Sequence, residues 1–386
     1  MASNRIQRLI AKYLTNQASF DELDELEHWL VKPKNEKEFF NYVKTNYLID
    51  YNLKKFNSNP TKKNLQNLIH KEKKVIQLRK VRKYMKYAAV LVGVLASAYF
   101  FRDNIFNNSV ENVPVIVNTI EHGTDKATLT LGDGSQVTLK KGTSLQIQNA
   151  NSNGEELIYT AGNKNSKEVA FNYLAIPRGG QFFVKLSDGT KVWLNSESKL
   201  RYPVSFVEGE TRKVELVYGE AYFDVSPSTE HNGSKFKVFN NAQEVEVIGT
   251  EFNIKAYRDE TNVYTTLVEG KVAVAFDNRI KKLLPNEQSS FNPNTNDFVI
   301  TQVDVYNEIS WKNGVFSFER KPLKEIMKVL SRWYDVDVIF ENKDLEDVKF
   351  FGVLDKEQNI KDILKTIKKF KIIESYEIKD KVIILK

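Results

Sequence analysis

Hydrophobic and polar positions alternate in three different rhythms along this chain. At the N-terminus the rhythm is helical: Ile6, Leu9, Ile10, Tyr13 and Leu14 form one apolar stripe, with Arg5, Arg8 and Lys12 outside it. Ser19 and Glu22 then read as a capping box opening a second helix, which carries Leu23, Leu26, Trp29 and Leu30 on one face and stops at Pro33. A third helix begins at Asn35, with Glu38 as its matching cap residue, and runs through Phe39, Phe40, Tyr42, Val43 and Tyr47. After Pro60 a lysine-rich helix with Leu65, Leu68, Ile69, Val75, Ile76 and Leu78 leads into the most apolar stretch of the chain.

That stretch is Tyr84–Phe101, in which Lys86 is the single charge. As a helix, 18 residues rise roughly 27 Å, close to the hydrocarbon thickness of a bilayer, and tyrosines and phenylalanines stand at both ends where a span places them. The competing readings are a buried helix of a soluble protein and a signal peptide cut near Ala96-Ser97-Ala98; the latter fits poorly behind more than 80 residues with helical patterns of their own.

From Val113 to about Thr301 the period falls to two, in short strands broken by Gly, Asn and Asp. Two repeats recur there. Leu131-x-Asp133-Gly134-x-x-Val137-x-Leu139 returns as Leu186-x-Asp188-Gly189-x-x-Val192-x-Leu194, and Leu216-Val217-x-Gly219 returns as Leu267-Val268-x-Gly270, each leading into alternating apolar residues. The Asp-Gly pairs read as type I′ hairpin turns. The expected architecture is all-β, either β-solenoid-like coils or a sandwich. Asp133 and Asp188 are read as turn residues rather than a catalytic carboxylate pair.

Residues 311–386 change again. Phe316-x-Phe318, a helix with Leu323, Ile326, Met327 and Leu330 inward, and Val336-x-Val338-x-Phe340 make one β-α-β unit. Val348–Val353, a helix with Ile360, Ile363, Leu364 and Ile367, and Ile372–Ile378 make another, with Val382–Leu385 as an added hairpin strand. The helix positions match at an offset of 37 residues, which predicts an α+β domain of duplicated βαβ units.

Charge gives the chain its polarity. Residues 1–86 hold 19 Lys+Arg against 9 Asp+Glu, while the rest holds 38 against 41. Basic residues crowd before Tyr84–Phe101 and Arg102 alone follows closely, so the positive-inside rule puts the N-terminus in the cytoplasm and the remainder outside, in the periplasm of a double-membrane bacterium. The basic excess next to the span is accounted for by anionic lipid, and no direct nucleic-acid contact is expected. The acids Asp21, Glu22, Asp24, Glu25 and Glu27 are favoured by a helix N-terminus and by solvent. With no cysteine, and with His28, His70, His122 and His231 dispersed, thiolate chemistry and paired-histidine zinc sites are excluded and no cofactor is expected. The same dispersal counts against the alternative of a membrane-anchored envelope enzyme.

The order of parts resembles the FecR family of membrane-anchored anti-sigma factors, in the form common in Bacteroidota. The residues that carry the resemblance are Pro177-Arg178-Gly179-Gly180, Leu186–Pro203, Val214–Val225, Phe236-x-Val238, Val247-x-Gly249-Thr250-x-Phe252-Asn253-Ile254 and Leu267–Val274. Asn313–Val338 resembles the companion C-terminal domain, similar to the secretin/TonB short N-terminal fold. The resemblance implies a multidomain membrane protein: an all-α cytoplasmic domain (1–83), one transmembrane helix (84–101), an all-β periplasmic domain (113–301) and the α+β domain (311–386). It implies that the N-terminal helices hold an extracytoplasmic-function sigma factor, with Leu23, Leu26, Trp29 and Leu30 as candidate contacts. It also implies that the periplasmic part meets the signalling domain of a TonB-dependent outer-membrane transporter, and that envelope proteases release the sigma factor. No catalytic residue is implied.

Overall fold

Alternation of buried and exposed side chains sets the architecture of most of the chain. The computed structural model describes residues 4–14, scattered positions between 25 and 43, and residues 120–386 except 148 and 161–169. Contacts divide the chain into two units, Met1–Asn118 and Thr119–Lys386. In the first, α1 (Asn4–Leu14) buries Ile6, Leu9 and Ile10, and Leu26 and Phe39 are buried on further helical segments. Arg5 pairs with Glu25 at 2.7 Å, and the Tyr13 and Phe39 rings lie 5.4 Å apart. Burial pushes the Tyr13 hydroxyl up to about 12. Among the described residues no helix is long and apolar enough to cross a membrane, and Tyr84–Phe101 lies outside them.

In the second unit the β region has two layers around one apolar core. The first layer contains β1 (Thr124–Thr130), β2 (Gln136–Lys140), β6 (Phe171–Ile176), β9 (Ser198–Pro203), the first half of β10 (Arg212–Asp224), β11 (Phe236–Phe239), β12 (Glu244–Val247), β15 (Val272–Phe276) and β16 (Arg279–Leu283). The second contains β3 (Leu145–Ile147), β4 (Ala150–Ser152), β5 (Glu156–Tyr159), β7 (Gly180–Lys185), β8 (Lys191–Leu194), the second half of β10, β13 (Glu251–Ala256), β14 (Val263–Glu269), β17 (Glu287–Asn292) and β18 (Asp297–Gln302). From β11 onward the chain lays one hairpin in the first layer and the next in the second, alternately. Leu129, Leu174, Leu216, Phe223, Phe252 and Val274 are fully buried between the layers.

The layers are continuous. β10 serves both, pairing with β9 through Glu215–Tyr218 and with β8 and β13 through Gly219–Asp224, and β1 pairs with β6 in one layer and β7 in the other. The expected choice between stacked coils and a sandwich therefore resolves into a β-barrel with extra strands. Gly219 sits at the crossing with φ +99°, and a Cβ there would stand 2.4 Å from the Ser198 Cα, so the crossing admits no side chain.

The two Asp-Gly hairpins occupy different layers, β1–β2 in the first and β7–β8 in the second. Their turn is not the expected type I′. Positive φ occurs at Gly134 and Gly189 (both +87°) but not at Asp133 or Asp188. Leu131 and Leu186 accept from Gly134 and Gly189 and donate to Ser135 and Thr190, so each loop is a three-residue turn closed by a left-handed glycine.

The α+β region follows with α2 (Val305–Ile309), β19 (Val315–Pro322), α3 (Leu323–Tyr334), β20 (Asp337–Phe340), β21 (Lys349–Asp355), α4 (Ile360–Lys369), β22 (Tyr376–Lys379) and β23 (Val382–Leu385). Helices α3 and α4 bury the residues at the 37-residue offset. The strands pair across the duplication: β19 with β21, and β20 and β22 on either side of β23. The final strand is thus central to its sheet, not an appendage. The expected strand Ile372–Ile378 shortens to β22, because Lys371 adopts φ +56° and the Ile372 N–H still bonds back to Ile367 as α4 unwinds.

Candidate functional site

Strands of the second layer have an outer face that the pattern alone assigns to solvent. Register places Glu156, Phe183, Trp193, Tyr222 and Asn253 in one row across it, and Asn195, Glu220 and Lys255 in the next. The α+β region covers part of this face. Tyr222 is buried in one apolar cluster with Trp311, Phe316, Leu323 and Trp333, and Trp193 packs against it. That cover is why β10 is buried without interruption from Gly219 to Phe223.

Two arginines lock the seam from opposite sides. Arg178, in the Pro177–Gly180 turn of the β region, reaches the C-terminal end of α3, donating to Ser331 O at 3.1 Å and to Val336 O, and it pairs with Asp337 at 2.9 Å. The neighbouring Gly179 N–H donates to Arg332 O at 2.7 Å. A guanidinium at a helix C-terminus satisfies carbonyls that lack a partner within the helix. In return Arg332, buried on α3, pairs with Asp259 at 2.5 Å and Glu260 at 2.9 Å, and its guanidinium lies 3.6 Å from the centre of the Tyr257 ring.

Between these clamps lie two buried charges. Glu220 accepts from Asn195 Nδ2 at 2.8 Å and Asn253 Nδ2 at 3.0 Å, yet burial pushes its carboxyl up, with Lys255 pulling the other way. Lys356 lies between Trp333 and Phe316, its ammonium 3.8 Å from the centre of the Trp333 ring, donating to Gln181 Oε1 at 2.6 Å and Trp311 O at 3.2 Å. Burial pushes the Lys356 ammonium down to about 7, against the attraction of Asp125 and Glu220. Gln181 Nε2 donates in turn to Asp125 at 2.9 Å, so one amide joins the lysine of the α+β region to a carboxylate of the β region.

This arrangement is suited to coupling two bodies mechanically. Among the described residues no group of three or more metal-binding side chains could hold a metal ion. One Ser/His contact does form, Ser226 Oγ to His231 Nε2 at 2.8 Å, despite the dispersal of histidines. Ser226 also donates to Glu230 at 3.1 Å and its carbonyl accepts from Arg212, so the carboxylate partners the hydroxyl rather than orienting the imidazole as a triad requires. Asp188, read from sequence as a turn residue alone, also forms a fully buried pair with Arg212 at 2.8 Å; that reading is corrected.

Of the candidate sigma-factor contacts, Leu26 is buried, Trp29 and Leu30 are half-buried, and Leu23 lies outside the described residues. The Trp29 carbonyl accepts from Asn35 Nδ2 at 2.8 Å. Sequence reasoning missed Glu220, Arg332 and Lys356. The available signal was Trp193, Tyr222 and Asn253 at strand positions where a solvent face would carry charge. Arg178 stood inside a quoted motif, but its purpose as a clamp did not.

A β-barrel with extra strands clamped to a small α+β region defines the class. Residues 173–273 match the FecR protein family and residues 315–385 match the FecR C-terminal family. The second unit therefore carries a region similar to the FecR protein family and, after it, one similar to the FecR C-terminal family. Two crystal structures of a candidate anti-sigma factor from Parabacteroides distasonis are similar, each 28% identical with a TM-score of 0.50. They cover 55% and 56% of this chain and 98% of theirs. No curated protein shows significant similarity to the chain.

Proposed function

We propose that this protein is a single-pass inner-membrane anti-sigma factor without catalytic activity. The N-terminal helices, through Leu23, Leu26, Trp29 and Leu30, bind an extracytoplasmic-function sigma factor. Tyr84–Phe101 crosses the membrane, with the basic residues before it against anionic lipid. The β and α+β regions lie in the periplasm and receive the signalling domain of a TonB-dependent outer-membrane transporter. Envelope proteases then free the sigma factor to transcribe nutrient-uptake genes, and the anti-sigma factor itself makes no direct contact with nucleic acid.

The observation that carries this reading is the likeness to the candidate anti-sigma factor across 98% of that chain. The asymmetry of charge about Tyr84–Phe101 supports the orientation, and the clamped seam supports a role in passing a load from one periplasmic region to the other. Covering a sigma factor's helical surfaces beside a bilayer inhibits by occlusion and by confinement together, so no covalent step is needed.

Capture from the parent bacterium's lysate on immobilised residues 1–86 recovers a sigma factor, and Trp29→Ala with Leu30→Ala weakens the capture. Failure to recover any sigma factor from a full panel of that genome overturns the assignment, as does a reporter fused beyond Arg102 that is active in the cytosol.

A further inference from the structure

The two outer faces of the β region carry opposite charge. On the first layer, register places Thr138, Thr128, Ala175, Lys199 and Tyr218 in one row across the outer face, and Gln136, Thr130, Tyr173, Arg201 and Glu215 in the next. Lys126 and Lys140 are opposite each other in the row before, and Lys213 stands one alternation from Glu215 along β10. From β2 to β10 this face therefore presents five cations and one carboxylate. On the outer face of the second layer, by contrast, Asp224, Glu251 and Glu269 lie side by side. The α+β region packs on that acidic side, which leaves the basic face open among the described residues.

Most of these cations lack a counter-charge. Lys126, Lys140, Lys199 and Lys213 form no ion pair among the described residues, and Arg201 alone reaches Glu215, at 3.5 Å. Aromatic rings position two of them instead: the Lys199 ammonium lies 4.7 Å from the centre of the Tyr173 ring, and the Arg201 guanidinium 3.9 Å from that of Phe171. Arg258 adds a further cation 4.0 Å over Tyr218. Rings covered by cations do not offer those faces for stacking on a sugar, so the face is suited to anionic groups rather than to a glycan. On β1 and β2 the outward residues Thr128, Thr130 and Thr138 are short, which keeps the sheet surface flat.

A flat array of spread cations matches a plane of anionic headgroups, because surface charge acts only within a Debye length, about 8 Å at physiological salt. Such a plane is always close to this chain. Phe101, where the proposed span ends, and Ile120, where the described second unit begins, are 19 residues apart, at most about 70 Å of fully extended chain. Docking is then an intramolecular event at high effective concentration.

We propose that the outer face of the first layer, from β2 to β10, rests on the anionic lipid of the membrane that Tyr84–Phe101 crosses, with the acidic face and the α+β region turned away from it. The proposal rests on the reading of Tyr84–Phe101 as a span.

The chain has no cysteine, so a single introduced cysteine is the one site for a thiol dye. Full-length protein carrying the dye at Thr138→Cys on the basic face, or at Glu269→Cys on the acidic face, is reconstituted in nanodiscs with acceptor dye on the headgroups. The discs are phosphatidylcholine alone or an equal mixture with phosphatidylglycerol. Energy transfer from Thr138→Cys is at least about twofold greater in the anionic discs and falls back at about 1 M salt, where the Debye length shrinks to about 3 Å. Transfer from Glu269→Cys stays low in both discs. Reversing two exposed charges, Lys140→Glu with Lys213→Glu, removes the gain. Should that variant lose its β-sheet circular dichroism, Lys213→Gln alone carries the comparison, with a smaller loss in the same direction. Protein that enters the discs but shows equal transfer in both, or equal transfer from the two faces, overturns the docking and leaves the span standing. Protein that does not enter the discs overturns the span and the docking with it. Low transfer in both discs together with binding of soluble polygalacturonate, read from the anisotropy of the dye at Thr138→Cys, overturns the lipid assignment in favour of an acidic glycan.

Discussion

The hairpin of β1 and β2 and the hairpin of β7 and β8 repeat one sequence pattern and one turn, and the chain uses them differently. In each, the aspartate accepts from the residue two further on: Ser135 N and Oγ at 2.8 and 2.6 Å in the first, Thr190 N and Oγ1 at 3.0 and 2.8 Å in the second. Asp133 ends there, in solvent. The Asp188 side chain is 2% exposed and also pairs with that of Arg212, which is equally buried and donates further to the carbonyls of Ser226 and Ser234. The same local chemistry is thus a turn signal in one copy and a cross-strand anchor in the other. What separates them is the environment that the rest of the fold supplies.

Removing the anchor makes the difference large. Asp188→Ala leaves Arg212 as an unpaired buried charge, and breaking such a pair costs about 3–5 kcal/mol. Asp133→Ala removes hydrogen bonds that water replaces and costs far less. Chemical unfolding of both variants measures the gap, and equal losses would refute the role given to Arg212.

A second contrast sets this compensated pair against the buried Lys356, whose nearest hydrogen-bond partners, Gln181 Oε1 and Trp311 O, are uncharged. Its folded value is depressed to about 7 from an ordinary 10.5, so between those pH values the unfolded chain binds more protons than the folded one. The sign follows directly: stability rises with pH across that window, with a slope approaching about 1.4 kcal/mol per pH unit from this one group. Below pH 7 both states are protonated and the slope vanishes. Unfolding measured from pH 7 to 10 shows the rise, and Lys356→Met flattens it. A wild-type profile as flat as that of the variant would show that Lys356 keeps its ordinary affinity for protons. Glu220, raised by burial, acts with the opposite sign in the acidic range: its contribution is lost as pH climbs through the glutamate region.

How far these sites could be read from sequence depends on what kind of neighbour fixes each residue. The inward faces of α3 and α4 were legible because a stripe at helical spacing needs only some partner, and the offset of 37 residues matched them residue by residue. The positions of the Asp-Gly turns were legible as well, since a glycine between alternating residues breaks a strand wherever it occurs. Their type was not, because type I′ and a turn closed by a single left-handed glycine accept the same two residues. The seam was hidden for a different reason. Period-two reasoning sends every second residue of β8, β10 and β13 to solvent, and only a distant segment, α3 with the Trp311 turn, buries Glu220 and Tyr222 and half-buries Trp193. Arg332 and Lys356 have long charged side chains, which default to the surface in any reading that lacks the partner Asp259 or Gln181.

The glycines of the two hairpins give the smallest and sharpest comparison. Gly134 and Gly189 share φ +87°; a Cβ on the first would meet nothing within 4 Å, and on the second only Ser226 at 3.8 Å, an ordinary contact. Steric surroundings therefore do not separate them, although the aspartates beside them sit in opposite environments. Left-handed backbone at a residue with a Cβ costs about 1–2 kcal/mol, so Gly134→Ala and Gly189→Ala each lose that much and nearly the same amount. Unfolding midpoints of the two variants should lie close together while those of Asp133→Ala and Asp188→Ala lie far apart. If the glycine variants separate as widely as the aspartate variants, the difference between the hairpins resides in their backbones and not in the buried charge of Arg212.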